Sequence, residues 1–199
     1  TNLIPPPSVS AFNGSEADLT YTPVSNANGQ ATITVTVTDA GADQAFDTGD
    51  DGVRTRTFVV QVLPVNDAPV FTLPASVTVN EDSGAQTIAG FASAIGRGGG
   101  EDENGQTLSA FSVTTDNSFF TADGSPALSG SGQLTFTPVA DVAGTVTVNV
   151  SLSDNGGIAN GGVDRTVDEF VINLLPVNDR PGIAIGGNQS VQENAGLQT

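Results

Sequence analysis

The sequence predicts an all-β protein built from tandem antiparallel Greek-key β-sandwich domains. Three observations lead to this prediction. Apolar residues alternate with polar ones over several short segments, Asn-Gly and Asp-Gly pairs separate those segments, and long blocks recur at about the size of one sandwich domain. We find no segment with the apolar spacing of a helix.

Alternation of apolar and polar residues predicts the individual strands. From Val146 to Leu152 every second residue is Val or Leu, and the residues between are Thr, Asn and Ser, as expected for a strand with one face on a core. The same alternation occurs over residues 32–38 and 170–174, where β-branched residues are frequent. Further strands are predicted over residues 76–80, 86–93, 107–114 and 133–137.

Internal repetition predicts the domain organisation. The phrase LPVNDAP at residues 63–69 returns as LPVNDRP at residues 175–181, 112 residues later, and the block at 17–39 returns at 132–154, 115 residues later. Residues 76–87 also match residues 188–199 at several positions. We therefore expect the C-terminal part of one repeat over 1–67, a complete repeat over 68–179, and the first strand of a third repeat over 180–199. The strands missing from the first repeat would come from outside this chain or from a neighbouring subunit by strand addition.

Composition excludes several classes of function. The chain has no Cys, His, Met, Trp or Lys and five Arg, so most catalytic nucleophiles, bases and soft metal ligands are absent, and we expect no enzyme. Without Lys it cannot form a Lys-to-Asn isopeptide bond. A net charge of −17 argues against nucleic-acid partners, and no apolar run is long enough for membrane insertion. Hard cations are the natural partners of such a chain.

Acidic and amide residues cluster where a cation could bind. Asn66 and Asp67 follow a predicted strand and are either a turn cap or metal ligands. Residues 101–104 follow three glycines and form either a solvated hairpin tip or an ion site, with Asp102 and Glu103 as candidate ligands. The acidic loop at 39–52 does not have EF-hand spacing, which leaves a solvated loop or a local calcium site of another geometry.

The linker phrase resembles a known family. PVNDAPVF at residues 64–71, followed by VTVNEDSGAQT at 77–87, is similar to the linker and first strand of cadherin-type repeats, and more closely to the cadherin-like VNDAP-type repeats of very large bacterial surface proteins. The resemblance covers essentially the whole chain. It implies a cadherin/Ig-like sandwich with Ca²⁺ bound between successive domains. The ligands that it implies are Asn66, Asp67, Glu81, Asp102, Asp154, Asn178, Asp179 and Glu193, with Asp39 as the counterpart of Asp154 in the first copy.

The resemblance also implies how these ligands are divided. Asn66 and Asp67 would meet Asp102 and Asp154 at the first junction, whereas Glu81 would run along its strand toward the second linker. This chain departs from the animal cadherin pattern because Pro64 stands where an acid is expected, the linker is one residue shorter, and the mid-domain Asp-Arg-Glu motif has no match. Fewer ligands imply one or two ions per junction.

These observations lead to one principal functional hypothesis and one alternative. The first is a calcium-rigidified extender or stalk module of a long secreted bacterial surface protein, adhesin or filament, located outside the cell. Its partners would be adjacent repeats of the same chain and neighbouring copies in a filament. The alternative is a protein- or glycan-binding module that uses its end loops. The single tyrosine, Tyr21, falls in a predicted strand and offers little aromatic surface to a glycan.

Overall fold

The first part of the chain forms two pairs of strands. The computed structural model describes residues 3–11, 13–14, 16–46, 49–194 and 196–197. In this part the strands are β1 (Ser8–Val9), β2 (Leu19–Thr20), β3 (Gly29–Thr38) and β4 (Val53–Val62). β1 pairs with β2 and β3 with β4, both antiparallel. Residues up to 67 are called the first unit below, and residues 68–179 the complete repeat.

The complete repeat contains nine strands. They are β5 (Val70–Thr72), β6 (Ser76–Asn80), β7 (Gln86–Ile88), β8 (Ser93–Gly96), β9 (Ser112–Thr115), β10 (Ala127–Leu128), β11 (Leu134–Phe136), β12 (Gly144–Ser153) and β13 (Arg165–Leu175). Short 3₁₀ helices span Glu101–Gly105, Asn117–Phe119 and Ala159–Gly161. The described part of the chain has no α-helix, and none of its helices is long and apolar enough to cross a membrane.

Two sheets enclose the core of the complete repeat. One has the strand order β6–β13–β12–β9 and the other β10–β11–β7, with β5 and β8 as a separate pair. β12 and β13 form a long antiparallel hairpin, and β6 runs parallel to β13. The arrangement confirms the predicted all-β, Ig-like sandwich. The parallel pair was not predicted, because alternation identifies the buried face of a strand and not its neighbour.

The core is built from the alternating residues of the long hairpin. Val148 and Val150 of β12 and Phe170 and Ile172 of β13 are almost fully buried, as the period-2 pattern predicts. Phe91 packs edge-on against Phe170 with ring centroids 4.6 Å apart, which joins the segment between β7 and β8 to the hairpin. This core fixes both ends of the hairpin, and one end carries Asp154.

Two predicted strands are shorter than expected. The strand predicted over 86–93 ends at Ile88, because Gly90 has φ of +64° and turns the chain. The strand predicted over 107–114 begins only at Ser112, and Leu108 forms an isolated bridge to Asp154. The second difference places irregular backbone at the linker end of the repeat, beside Asp154.

The first unit and the C-terminal segment contain less regular structure. Tyr21 follows β2 instead of lying within a strand, and its side chain is exposed. The described residues from 176 to 194 form no strand, since a single strand without partners has nothing to pair with. The domain boundaries that the repeats suggest stay predictions.

Candidate metal centre

Three segments meet at the linker end of the complete repeat. They are the linker between β4 and β5 with Asn66 and Asp67, the 3₁₀ helix after β8 with Asp102 and Glu103, and the residue after β12, Asp154. These five residues were predicted from three distant stretches of sequence, and the structure brings them together. A cavity of about 170 Å³ lies among Asn66, Asp102 and Glu103.

Asn66 is the scaffold of this end of the repeat. Its side-chain Nδ2 donates to Oδ1 of Asp154 at 3.0 Å and to the carbonyl oxygen of Val163 at 2.7 Å. Its Oδ1 accepts a hydrogen bond of 2.6 Å from Nε2 of Gln106. Because both partners of Nδ2 are acceptors, the orientation of the amide is fixed by the network. Asn66 thus positions Asp154 and Gln106 relative to the linker.

The glycine-rich loop at residues 98–102 allows Glu103 to lie against Asp67. The backbone N–H of Asp67 donates to Oε1 of Glu103 at 3.4 Å, and Glu103 is only 3% exposed. Gly99 lies beside both side chains with φ of +50°, and a Cβ there would stand 2.7 Å from Oδ2 of Asp67. A residue without a side chain is therefore required for the two acids to approach.

Four oxygens at this end have no hydrogen-bond partner. Among the residues that the structure describes, these are the buried side-chain oxygens without a partner: Oδ1 of Asp102, Oε2 of Glu103, Oε1 of Gln106 and Oδ2 of Asp154. Buried polar atoms almost always have a partner, since leaving one without costs about 1–3 kcal/mol. Their concentration at one place makes these oxygens candidate ligands for a cation.

Electrostatics at the site point to the same conclusion. Burial raises the pKa of Glu103, and the negative charges of Asp102, Asp67 and Asp154 raise it further, while the N–H of Asp67 lowers it. Every charged group that acts on Glu103 is therefore another acid. Several carboxylates held together in this way repel one another unless a cation lies between them.

The chemistry of the donors fits Ca²⁺. The site offers carboxylate oxygens from Asp67, Asp102, Glu103 and Asp154 and an amide oxygen from Gln106, and it offers no sulfur or imidazole. Ca²⁺ takes six to eight oxygen ligands of these types in flexible geometry. The residues present therefore fit the ion that the cadherin-like resemblance implies.

A second acidic cluster lies at the far end of the complete repeat. Glu81, Asp82 and Asp179 offer ligand atoms within 4.8 Å of one another. Oε1 of Glu81 accepts a hydrogen bond of 2.8 Å from the N–H of Val177, which ties the end of β6 to the second linker at residues 175–181. The negative charge of Asp141 is the largest cause of a raised pKa at Asp179. Glu81 thus reaches the second linker, as predicted.

Three predicted site residues lie outside these contacts. Oδ1 of Asp39 accepts from the N–H groups of Gly41 and Gly52 at 3.0 and 3.1 Å, which closes its own loop. Asn178 is exposed and donates to the carbonyl oxygen of Asp179. Glu193 lies on an exposed turn of the C-terminal segment, at a place where the sequence predicted a strand.

Sequence reasoning missed several residues at both ends. Gln106 is neutral and gives no charge signal, although it closes the acidic stretch GEDENGQ. Asp82 is the direct neighbour of a predicted ligand, and Asp141 lies in a turn between β11 and β12. Gln106 could have been found from its place three residues after Glu103, whereas Asp141 required the fold.

Part of the chain matches the model of a known protein family. A family model described as "Bacterial Ig domain" matches residues 66–166, from Asn66 in the linker to the start of β13. The match covers all three segments that form the candidate metal centre. A search of curated proteins found no match.

Proposed function

The chain belongs to the bacterial Ig domain family, and from this premise we propose that it is a calcium-rigidified extender module of a long secreted surface protein, adhesin or filament. Domains of this family are structural, non-enzymatic sandwiches that commonly occur in bacterial surface proteins. The finer assignment, to cadherin-like VNDAP-type repeats that bind Ca²⁺ between units, is part of the proposal.

One observation above all supports the proposal. Four buried oxygens without a hydrogen-bond partner, from Asp102, Glu103, Gln106 and Asp154, lie beside the linker that joins the first unit to the complete repeat. In a solvated acidic surface these oxygens would face water. Their burial at the linker therefore favours an ion that belongs to the junction.

The linker is already held against the complete repeat. The N–H of Val163 donates to the carbonyl oxygen of Asn66 at 2.9 Å, and Nδ2 of Asn160 donates to the carbonyl oxygen of Pro64 at 3.1 Å. Pro64 and Pro69 restrict φ on either side of Asn66 and Asp67. These contacts and the two prolines limit the positions of the linker. Repulsion between Asp67 and the acids of the complete repeat opposes closer packing of the linker on that repeat.

Calcium supplies the positive charge that converts this repulsion into attraction. Asp67 lies on the linker, whereas Asp102, Glu103 and Asp154 lie on the complete repeat. An ion that binds Asp67 and the acids of the complete repeat favours the orientation of the two units in which all of these residues reach it. The free energy that favours this orientation equals the difference between its affinity for the ion and that of the other orientations. Successive units would then form a straighter stalk.

Thermal unfolding of the full chain with and without Ca²⁺ tests this function. At a concentration of 100 times the Kd, binding stabilises the protein by about 2.7 kcal/mol, which raises the Tm by on the order of 10 °C. The variant Asp102→Asn/Asp154→Asn removes two candidate ligands and should lose most of that rise.

A matched variant controls for lost charge. Asp123→Asn/Glu169→Gln removes two exposed acids away from the linker and should keep the calcium-dependent rise. If millimolar Ca²⁺ does not move the Tm of the wild-type protein, or if both variants respond alike, the calcium proposal is wrong and the module is an ordinary sandwich spacer.

A further inference from the structure

A turn of the first unit contacts the glycine-rich loop at residues 98–102 of the complete repeat. The turn spans residues 24–28, between β2 and β3, and Nδ2 of its Asn28 donates a hydrogen bond of 3.0 Å to Oδ2 of Asp102. The other oxygen of Asp102, Oδ1, belongs to the candidate metal centre. One carboxylate therefore faces both the neighbouring unit and the ion site.

Gly100 makes this close contact possible. A Cβ at Gly100 would stand 2.7 Å from the carbonyl oxygen of Asn26 and 2.9 Å from its Cβ, well inside ordinary contact distance. The backbone of Gly100 has φ of −112°, which other residues adopt without strain. Space for the turn, and not backbone conformation, is therefore the reason that a glycine is needed here.

The same turn occurs again in the complete repeat. Residues 139–143 follow β11 as residues 24–28 follow β2, and Asp141 has φ of +59° where Asn26 has +55°. The N–H of Val139 donates to the carbonyl oxygen of Phe119 at 3.0 Å, as the N–H of Val24 donates to that of Leu3 at 2.9 Å. The turn is thus a regular part of the repeat with a fixed shape.

We propose that the turn at residues 24–28 is the docking surface by which the first unit sets its orientation on the complete repeat, and that its partner surface is the glycine-rich acidic loop at residues 98–102. Asn28 is a positioning residue for Asp102, and Gly100 admits the turn. The inference rests on the proposed function, since it assigns the residues that fix the angle of the junction. Partner units are those that carry a glycine at the position of Gly100.

Distance measurements between the two units test this inference. The chain has no cysteine, so Thr57→Cys in the first unit and Thr114→Cys in the complete repeat, both at exposed positions, give two specific sites for spin labels. Pulsed electron resonance then reports the distribution of distances across the junction in the full chain, with and without saturating Ca²⁺. Asn28→Ala and Gly100→Ala are compared in this background with Gly105→Ala, whose Cβ would meet no atom within 4 Å.

In Ca²⁺, we expect a single narrow distribution of distances for the spin-labelled chain without further substitution and for Gly105→Ala. For Asn28→Ala and Gly100→Ala we expect a broad distribution. Unchanged distributions in both of these variants would overturn the docking inference. If Gly100→Ala lowers the Tm of the complete repeat and Asn28→Ala does not, the distance distribution of Asn28→Ala alone decides whether the turn is the docking surface. Calorimetry with Ca²⁺ on the same proteins separates the two proposals: absence of binding by the unsubstituted chain refutes the calcium site, and docking is then judged from the distances measured without the ion.

Discussion

The two long hairpins of the molecule, β3–β4 and β12–β13, have the same register and very different burial. Ile33 lies opposite Phe58 in the first, and Val148 lies opposite Phe170 in the second. Phe170 is 1% exposed, whereas Phe58 is 41% exposed. The same alternation of residues thus gives the same pairing in both copies, but it does not by itself bury the apolar face.

The difference lies in what else packs on each hairpin. In the complete repeat β6 pairs with β13, β9 pairs with β12, and a second sheet covers the apolar face. Among the described residues of the first unit, β3 and β4 form a two-stranded sheet that β1, β2 and the preceding residues cover only in part. A hairpin of this type is therefore specified locally, and its burial depends on strands far away in sequence.

The largest expected difference between the two hairpins concerns their equivalent phenylalanines. Phe170→Ala opens a cavity in the core and should cost about 3–5 kcal/mol, whereas Phe58→Ala removes a half-exposed ring and should cost about 1 kcal/mol. Urea-induced unfolding of the full chain, followed by circular dichroism, measures both. Equal losses from the two substitutions would show that the first hairpin is as well packed as the second.

A smaller difference is expected at the two linkers. Asn66 is buried and bonded to Asp154, Val163 and Gln106, so Asn66→Ala should destabilise the complete repeat by about 1–3 kcal/mol. Asn178 stands at the same place in the second copy of the phrase and is exposed, so Asn178→Ala should change stability by less than about 0.5 kcal/mol. Melting curves of both variants without Ca²⁺ compare them, and a matching loss at Asn178 contradicts the scaffold role of Asn66.

The smallest expected difference is the pH dependence of stability without Ca²⁺. The pKa of Glu103 is raised by burial and by neighbouring acids, so the folded state holds the proton more tightly than the unfolded state. The contribution of Glu103 to stability is then fully present below the ordinary pKa of a glutamate, about 4.3, and decreases as the pH rises through the higher folded pKa.

Asp39 should act in the opposite direction. N–H groups of Gly52 and Gly41 lower its pKa, so its contribution is present above the ordinary pKa of an aspartate and decreases as the pH falls through the lower folded pKa. Melting temperatures of Glu103→Gln and Asp39→Asn between about pH 3 and pH 7 give the two slopes by comparison with the unsubstituted chain. Slopes of the same sign would contradict the assignment of opposite environments.

Much of the fold could be predicted from the sequence because strand alternation and the repeated phrases are local signals. The buried faces of β12 and β13 follow directly from residues such as Val148 and Phe170. The early end of β7 did not follow, since the left-handed conformation of Gly90 depends on how the chain turns toward Phe91. The parallel partner of β13 also depends on packing over a long sequence separation.

The candidate site could be predicted in part for a similar reason. Acidic residues such as Asp67 and Asp102 carry a charge signal, and the resemblance indicated which of them meet. Gln106 and Asn28 contribute neutral amides, which are common on any surface and become notable only when their contacts are known. Those contacts arise from the chain turning at the glycine-rich loop.

A crystal structure of the full chain grown with Ca²⁺ tests the central claim most directly. The account predicts an ion at the linker end of the complete repeat, bound by Asp67 of the linker and about 2.3–2.6 Å from the four buried oxygens of Asp102, Glu103, Gln106 and Asp154. Water molecules bonded to these four oxygens in saturating Ca²⁺, with no ion among them, would contradict it.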